Sequence, residues 1–178
     1  VVRGGDGIDD TEALEITRGW GQVLTDPSSP TFLGATDHTN NTAELTALIE
    51  AICWLLDEDD SPDRRVLLRP DSEYVAGVVT GISAVKNNKD MARVAQQLYR
   101  ALLKQRCGKV QWAHVKGHSN HKWNDIVDEL AVRGAKDGAY NSVVPGRRWL
   151  TGRADGEMWK QWEAGEIWAA EGEVQVSL

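Results

Sequence analysis

Cysteine, phenylalanine and long apolar runs are the scarce features of this chain. Two cysteines, Cys53 and Cys107, and a single phenylalanine occur in 178 residues. The cysteines lie far apart and form no C-x-x-C pair, which excludes a disulfide-stapled scaffold and a cysteine-rich zinc module. Cys53 stands in an apolar helical stretch, where a small buried thiol is the ordinary role, and reduced, intracellular surroundings fit best. No apolar run approaches the ~20 residues that span a bilayer, and no signal-peptide pattern is visible. The first residue is Val1 rather than Met, as expected of an excised domain or a processed chain. Bases are scarce in the first 60 residues, where Arg3 and Arg18 stand alone among many acids. With a net charge of −7, the chain is not a simple phosphate-coating protein.

What is present describes a folded domain. The chain is 41% apolar and 26% charged, and its length suits one domain with a full core, with room for an appendage. Charge is unevenly spread. Residues 86–109 carry Lys86, Lys89, Arg93, Arg100, Lys104, Arg106 and Lys109 against Asp90 alone. An acidic metal-binding centre beside a basic shelf for a polyanion would produce this asymmetry, and so would two solvated helix faces.

Periodicity predicts the order β β β α β α α β α. A short strand at "VVRGGDG" precedes "GWGQVLT" and "TFLGAT", which flank the turn "DPSSP" and read as a hairpin. Leu45, Leu48, Ile49, Ile52, Leu55 and Leu56 recur at helical spacing, with Asn41 as N-cap and Glu44 as its capping-box partner. "RVLLR" is a buried-type strand followed by the helix "DSEYVAGVVTGI". "DMARVAQQLYRALLKQ" is a basic amphipathic helix, "KVQWAHV" a strand, and "WNDIVDELAVRGAKDG" a helix closed by glycine. Leading strands followed by strand–helix alternation predict an α/β mixed sheet covered by helices. Residues 140–178 differ: they are glycine-rich and hold four of the eight tryptophans, Trp159 and Trp162 at helical spacing. They form an extension to a domain over 1–139, packed on it or binding a partner.

Sites in such sheets form at the carboxyl ends of strands. Asp6 follows the first strand and Asp71 the "VLLR" strand; Glu44 and Asp128 lie in the first turns of helices. With the first and fourth strands adjacent, these four acids converge. Clustered carboxylates repel one another unless a cation is present, and hard oxygen donors suit Mg²⁺. Two such ions can hold the attacking and departing oxygens of a phosphodiester. Each acid also has a plain role open to it: Glu44 in the capping box, Asp71 as an N-cap, Asp128 on a solvated face, Asp6 in a turn beside Gly7. His118 and His121 fall short of the four N or S ligands of a structural zinc site, and His114 beside Trp112 reads as a packed strand histidine.

"TNNTAEL" (39–45), "DSEYVAGVVTG" (71–81) and "VKGHSNHKWNDIVDELAVRGA" (115–135) closely resemble three successive signatures of the type 1 ribonuclease H family, in matching order and separation. "RGWGQVL" resembles that family's second strand. The likeness covers about residues 1–137 and not the extension. It implies a ribonuclease H-like fold with a five-stranded sheet, order 3-2-1-4-5 and strand 2 antiparallel. It also implies hydrolysis of RNA paired with DNA by two Mg²⁺ ions, Mn²⁺ substituting, to leave 5′-phosphate ends. By matching motif, Asp6, Glu44, Asp71 and Asp128 are the metal ligands, and His118 is the loop histidine that assists proton transfer or product departure. Asn40 and Asn41, with Gly7 and Asn124, meet the hybrid, where minor-groove contacts sense the 2′-hydroxyl.

"TGISAVKNNKDM" is too short for the family's basic handle, so affinity for hybrid rests on Lys86, Lys89 and Arg93, with Lys116 and Lys122 nearby. In this the chain is similar to retroviral and retroelement ribonuclease H domains, which gain affinity from a fused or associated polymerase; as an isolated domain it is expected to be a monomer. Pro70, directly before Asp71, removes a backbone N–H at the edge of the site. Two other readings stand beside the nuclease: a non-catalytic ribonuclease H-fold scaffold, and a nuclease of the same fold with another substrate, such as an integrase or junction resolvase.

Overall fold

The computed structural model describes residues 1–4, 12–29, 31–57, 59, 61, 63–116 and 121–137. Asp6, Gly7, His118 and the extension from 140 lie outside the described residues.

The chain is α/β, in the order β1 (Val2–Arg3), β2 (Leu14–Glu15), α1 (Asn40–Asp57), β3 (Val66–Leu68), α2 (Glu73–Thr80), α3 (Lys89–Gln105), β4 (Val110–Trp112) and α4 (Lys122–Asp137). All four helices fall where apolar periodicity predicts them. The buried faces of α1, α2 and α3 form one core, with Leu45, Ile49 and Ile52 of α1 against Met91, Ala95 and Leu102 of α3. Val75, Val78 and Val79 of α2 and Val66 and Leu68 of β3 complete it. α1 packs mainly on α3, which also holds α2. Cys53 is fully buried in α1, as expected, whereas Cys107 is exposed in the turn after α3.

Two helix starts differ from expectation, and both differences bear on the site. α1 is capped by Thr39 rather than Asn41. The Thr39 N–H donates to Thr42 Oγ1 (2.9 Å), and the Thr42 N–H donates back to Thr39 Oγ1 (3.3 Å). Ala43 makes the first helical bond, to the Thr39 carbonyl at 3.0 Å. Thr42 is completely buried, and its hydroxyl is satisfied inside this box. Thr42 therefore takes the place expected of Glu44. α2 is capped by Ser72, whose Oγ accepts from the Val75 N–H at 3.3 Å, and not by Asp71. Gly81, at φ 82°, ends α2 in the left-handed conformation that glycine adopts without strain.

β1 pairs antiparallel with β2, and β3 parallel with β4. The hairpin expected from "GWGQVLT" and "TFLGAT" is replaced by non-ladder structure, with an isolated bridge at Trp20. The turn between them consumes its own backbone groups: Ser29 N–H donates to Asp26 O (3.1 Å) and Phe32 N–H to Ser29 O (3.0 Å). The Asp26 carboxylate also accepts from the Ser28 N–H at 2.9 Å.

The basic run of 86–109 is not one surface. Arg106 at the end of α3 is 1% exposed and turns inward. It donates to the carbonyls of Ser61 (2.6 Å) and Leu55 (2.9 Å) and pairs with Asp59 at 2.8 Å. Asp59 also meets Arg3 of β1 at 3.5 Å, so one acid ties the sheet edge and the end of α3 to the loop after α1.

Gly134 is the one buried residue of α4. It sits against the backbone of Gly21, and the Arg133 guanidinium lies 4.3 Å from the centre of the Trp20 ring. The "GWG" stretch is thus the seat of the last helix.

Candidate active site

β3 ends at Leu68, and the chain turns at Pro70–Asp71 into α2. This elbow faces the first turns of α1, where Glu44 projects. With Thr42 serving the cap, Glu44 is free of that duty and turns toward the elbow. It takes a hydrogen bond from Ser72 and lies close enough to Asp71 to sense its charge. Burial, and secondarily the repulsion of Asp71, raise the Glu44 pKa above the ordinary carboxylate value, against the opposing pull of Ser72. Its second oxygen, Oε2, is buried with no hydrogen-bond partner.

Such an oxygen, in a carboxylate disfavoured by burial and by a neighbouring carboxylate, is chemically incomplete. A hard divalent cation between Glu44 and Asp71 would satisfy it, so the donor set fits the metal that the sequence implies. Among the described residues no group of three or more His, Cys, Asp or Glu side chains could by itself hold a metal ion. The structure therefore brings Glu44 and Asp71 together, and Asp128 of α4 does not join them in such a group. Asp128 is half-buried, with Asn124 Nδ2 at 3.4 Å from its Oδ2 on the same helix face.

Asn40 and Asn41 are exposed at the N-terminus of α1. Asn41 and Lys86 both line a cleft of about 390 Å³, with Asp37, Thr39, Tyr74 and Asn88. Asn88, in the cleft lining, is fixed by its Oδ1, which accepts from Thr36 N–H (2.7 Å) and Oγ1 (2.9 Å). Lys89 is exposed at the start of α3.

Sequence reasoning misses two residues. Ser72 bridges α2 to Glu44, and the available signal is a cap-type residue directly after Asp71. His114 is no packed strand histidine: β4 ends at Trp112, and the exposed His114 ring places Nε2 3.1 Å from the Asp71 carbonyl oxygen. Trp112 instead donates from Nε1 to the Tyr99 hydroxyl at 2.8 Å.

Comparison with known proteins identifies the family of the chain. The family model for RNase H matches residues 10–136. A Ribonuclease H of Saccharopolyspora erythraea is 34% identical over 126 residues, 65% of this chain and 79% of that protein. A Ribonuclease H of Actinobacillus pleuropneumoniae serotype 5b is 38% identical over 106 residues, 56% of this chain and 66% of that protein. The Ribonuclease HI of Rickettsia conorii is 34% identical over 128 residues, with 65% and 79% covered. No solved structure matches the chain. The matched span contains α1, α2, α3, all but the last residue of α4 and the Glu44–Asp71 pair, and the chain belongs to the ribonuclease H family.

Proposed function

We propose that this chain is an endoribonuclease that hydrolyses the RNA strand of RNA–DNA hybrids. The observation that carries the reading is the Glu44–Asp71 pair, two carboxylates relieved of capping, one with a buried, unpartnered oxygen. Asp6, Glu44, Asp71 and Asp128 are its metal ligands. When bound, two Mg²⁺ ions, replaceable by Mn²⁺, supply Lewis-acid stabilisation to the attacking water and to the leaving 3′-oxygen.

The chain's own residues do the rest. Ser72 orients Glu44, and Asn124 restrains Asp128. His118 handles the proton at the leaving oxygen. Asn40 and Asn41 meet the minor groove of the hybrid, where the 2′-hydroxyl distinguishes RNA from DNA. Lys86, in the cleft lining, and Lys89, at the start of α3, meet the phosphates. In this reading the sheet has five strands in the order 3-2-1-4-5, with β3 and β4 as its fourth and fifth members. Without a basic handle, a fused or associated polymerase would strengthen the hold on substrate.

Cleavage of an end-labelled hybrid, with and without Mg²⁺, tests the proposal. Wild type should cut only the RNA strand and only with the metal, and Asp71→Asn and Glu44→Gln should lose about a thousandfold or more in rate. Absence of cleavage by a folded wild type, even with Mn²⁺ at low salt, would favour the scaffold reading.

A further inference from the structure

We propose that His114 is a positioning residue for Asp71, supplying a tether that Pro70 cannot make; the inference rests on reading Asp71 as a cation ligand. β3 and β4 run parallel with Val66, Leu67 and Leu68 opposite Val110, Gln111 and Trp112. Bonds of the same kind continue past the strand ends. Ala113 N–H donates to the Leu68 carbonyl (3.0 Å) and Val115 N–H to the Pro70 carbonyl (3.1 Å). Two residues beyond the last paired position, Pro70 lies opposite His114.

In a parallel ladder, alternate residues of one strand both donate to and accept from the neighbour. On β3 and its continuation these are residues 66, 68 and 70, with Val66 N–H donating to Lys109 O at 2.9 Å. Position 70 is proline, so it accepts from β4 but has no N–H to give. The backbone would then hold the elbow before Asp71 through one bond where a ladder normally provides two. His114, the residue opposite, reaches forward to the next carbonyl: its Nε2 lies 3.1 Å from Asp71 O. A carbonyl only accepts, so Nε2 carries the hydrogen, a condition met by the imidazolium and by one neutral tautomer alike.

The location gives this bond its consequence. The Asp71 carbonyl carbon is bonded to the nitrogen of Ser72, whose hydroxyl both caps α2 and bonds Glu44. Slack at this carbonyl would displace the Asp71 carboxylate and the Ser72–Glu44 contact together. A cation site tolerates misplacement of only about 0.5 Å in its ligands. The His114 ring is exposed, so core packing does not account for it.

The test compares wild type, His114→Ala, His114→Gln, Pro70→Ala and the Pro70→Ala/His114→Ala double variant, with Asp71→Asn as control. Mg²⁺ affinity is read by calorimetry and by the rise in Tm when Mg²⁺ is added to metal-free protein, and hybrid cleavage is followed against Mg²⁺ concentration. His114→Ala should bind Mg²⁺ about fivefold to tenfold more weakly, the scale of one hydrogen bond. Its cleavage rate should recover as Mg²⁺ is raised. His114→Gln keeps a donor and should retain affinity, and Pro70→Ala should restore it in the double variant. Wild-type affinity in His114→Ala, with or without a lower Tm, would overturn the inference while leaving the nuclease intact. So would a double variant as weak as His114→Ala. A wild type that neither binds Mg²⁺ nor cleaves hybrid would sink the functional reading and this inference with it.

Discussion

A Cβ placed on Gly134 would come within 2.7 Å of the Gly21 carbonyl oxygen and 3.1 Å of its nitrogen, so α4 touches the segment beneath it backbone to backbone. Backbone cannot swing aside as a flexible side chain can. Gly134→Ala gains about 1 kcal/mol in helix propensity. The forced separation should outweigh that gain, for a net loss of about 1–3 kcal/mol. Because α4 carries Asn124 and Asp128, cleavage should fall as well. Urea unfolding and steady-state rates on the same preparation check both.

Glu44 makes the metal-free protein sensitive to pH. Its folded pKa is raised, so between the ordinary carboxylate range and that higher value the folded state holds more protons than the unfolded state. Stability in EDTA should therefore be greatest at acid pH with respect to this group, and should decline as pH rises through the folded pKa. Glu44→Gln lacks the decline. Urea midpoints of the two proteins should converge near pH 4 and separate toward pH 7, with the variant the more stable.

Asp59 should matter to stability and not to catalysis. Asp59→Ala leaves the buried Arg106 guanidinium without its counter-charge, at a cost of about 3 kcal/mol. Asp59 follows the C-terminal end of α1 and Glu44 lies near the N-terminal end, about 20 Å away at 1.5 Å per residue. Denaturation midpoints should drop sharply, while kcat measured well below the new Tm should stay at the wild-type value.

Lys86→Ala should weaken substrate binding without slowing the chemical step. Losing one phosphate contact reduces the slope of log K against log salt by about 1. KM for hybrid measured across a salt series should rise most at low salt, with kcat unchanged. A lower kcat would place Lys86 nearer the reacting phosphate than the cleft suggests.

Helices were the legible part of this sequence, because α1 and α3 bury one face at regular spacing over four or more turns. The strands were less so. Apolar residues around Trp20 and Phe32 look like a hairpin, yet among the described residues no ladder joins them. Caps were legible as clusters and not as individuals. Thr39, Asn40, Asn41 and Thr42 are all competent cap residues, and only burial of Thr42 selects the Thr39 box. Arg106 reads as one more base in a basic run, since charge patterning cannot show that the chain after α3 turns under the end of α1. At the site, the approach of Glu44 to Asp71 was legible from strand ends and motif order. The tether from His114 was hidden, because it depends on the register that sets His114 opposite Pro70.

The capping arrangement has a consequence for how the protein can change over generations. Thr39, Thr42 and Ser72 start the helices, so the acids at 44 and 71 contribute charge and nothing to helix initiation. If both acids hold the metal as proposed, losing either removes chemistry while sparing the fold, and at Glu44 even relieves it. A folded descendant that grips hybrid without cutting it is thus a single substitution away. The same substitution would yield a reagent for trapping RNA–DNA hybrids. The barrier between nuclease and scaffold in this lineage is one codon wide.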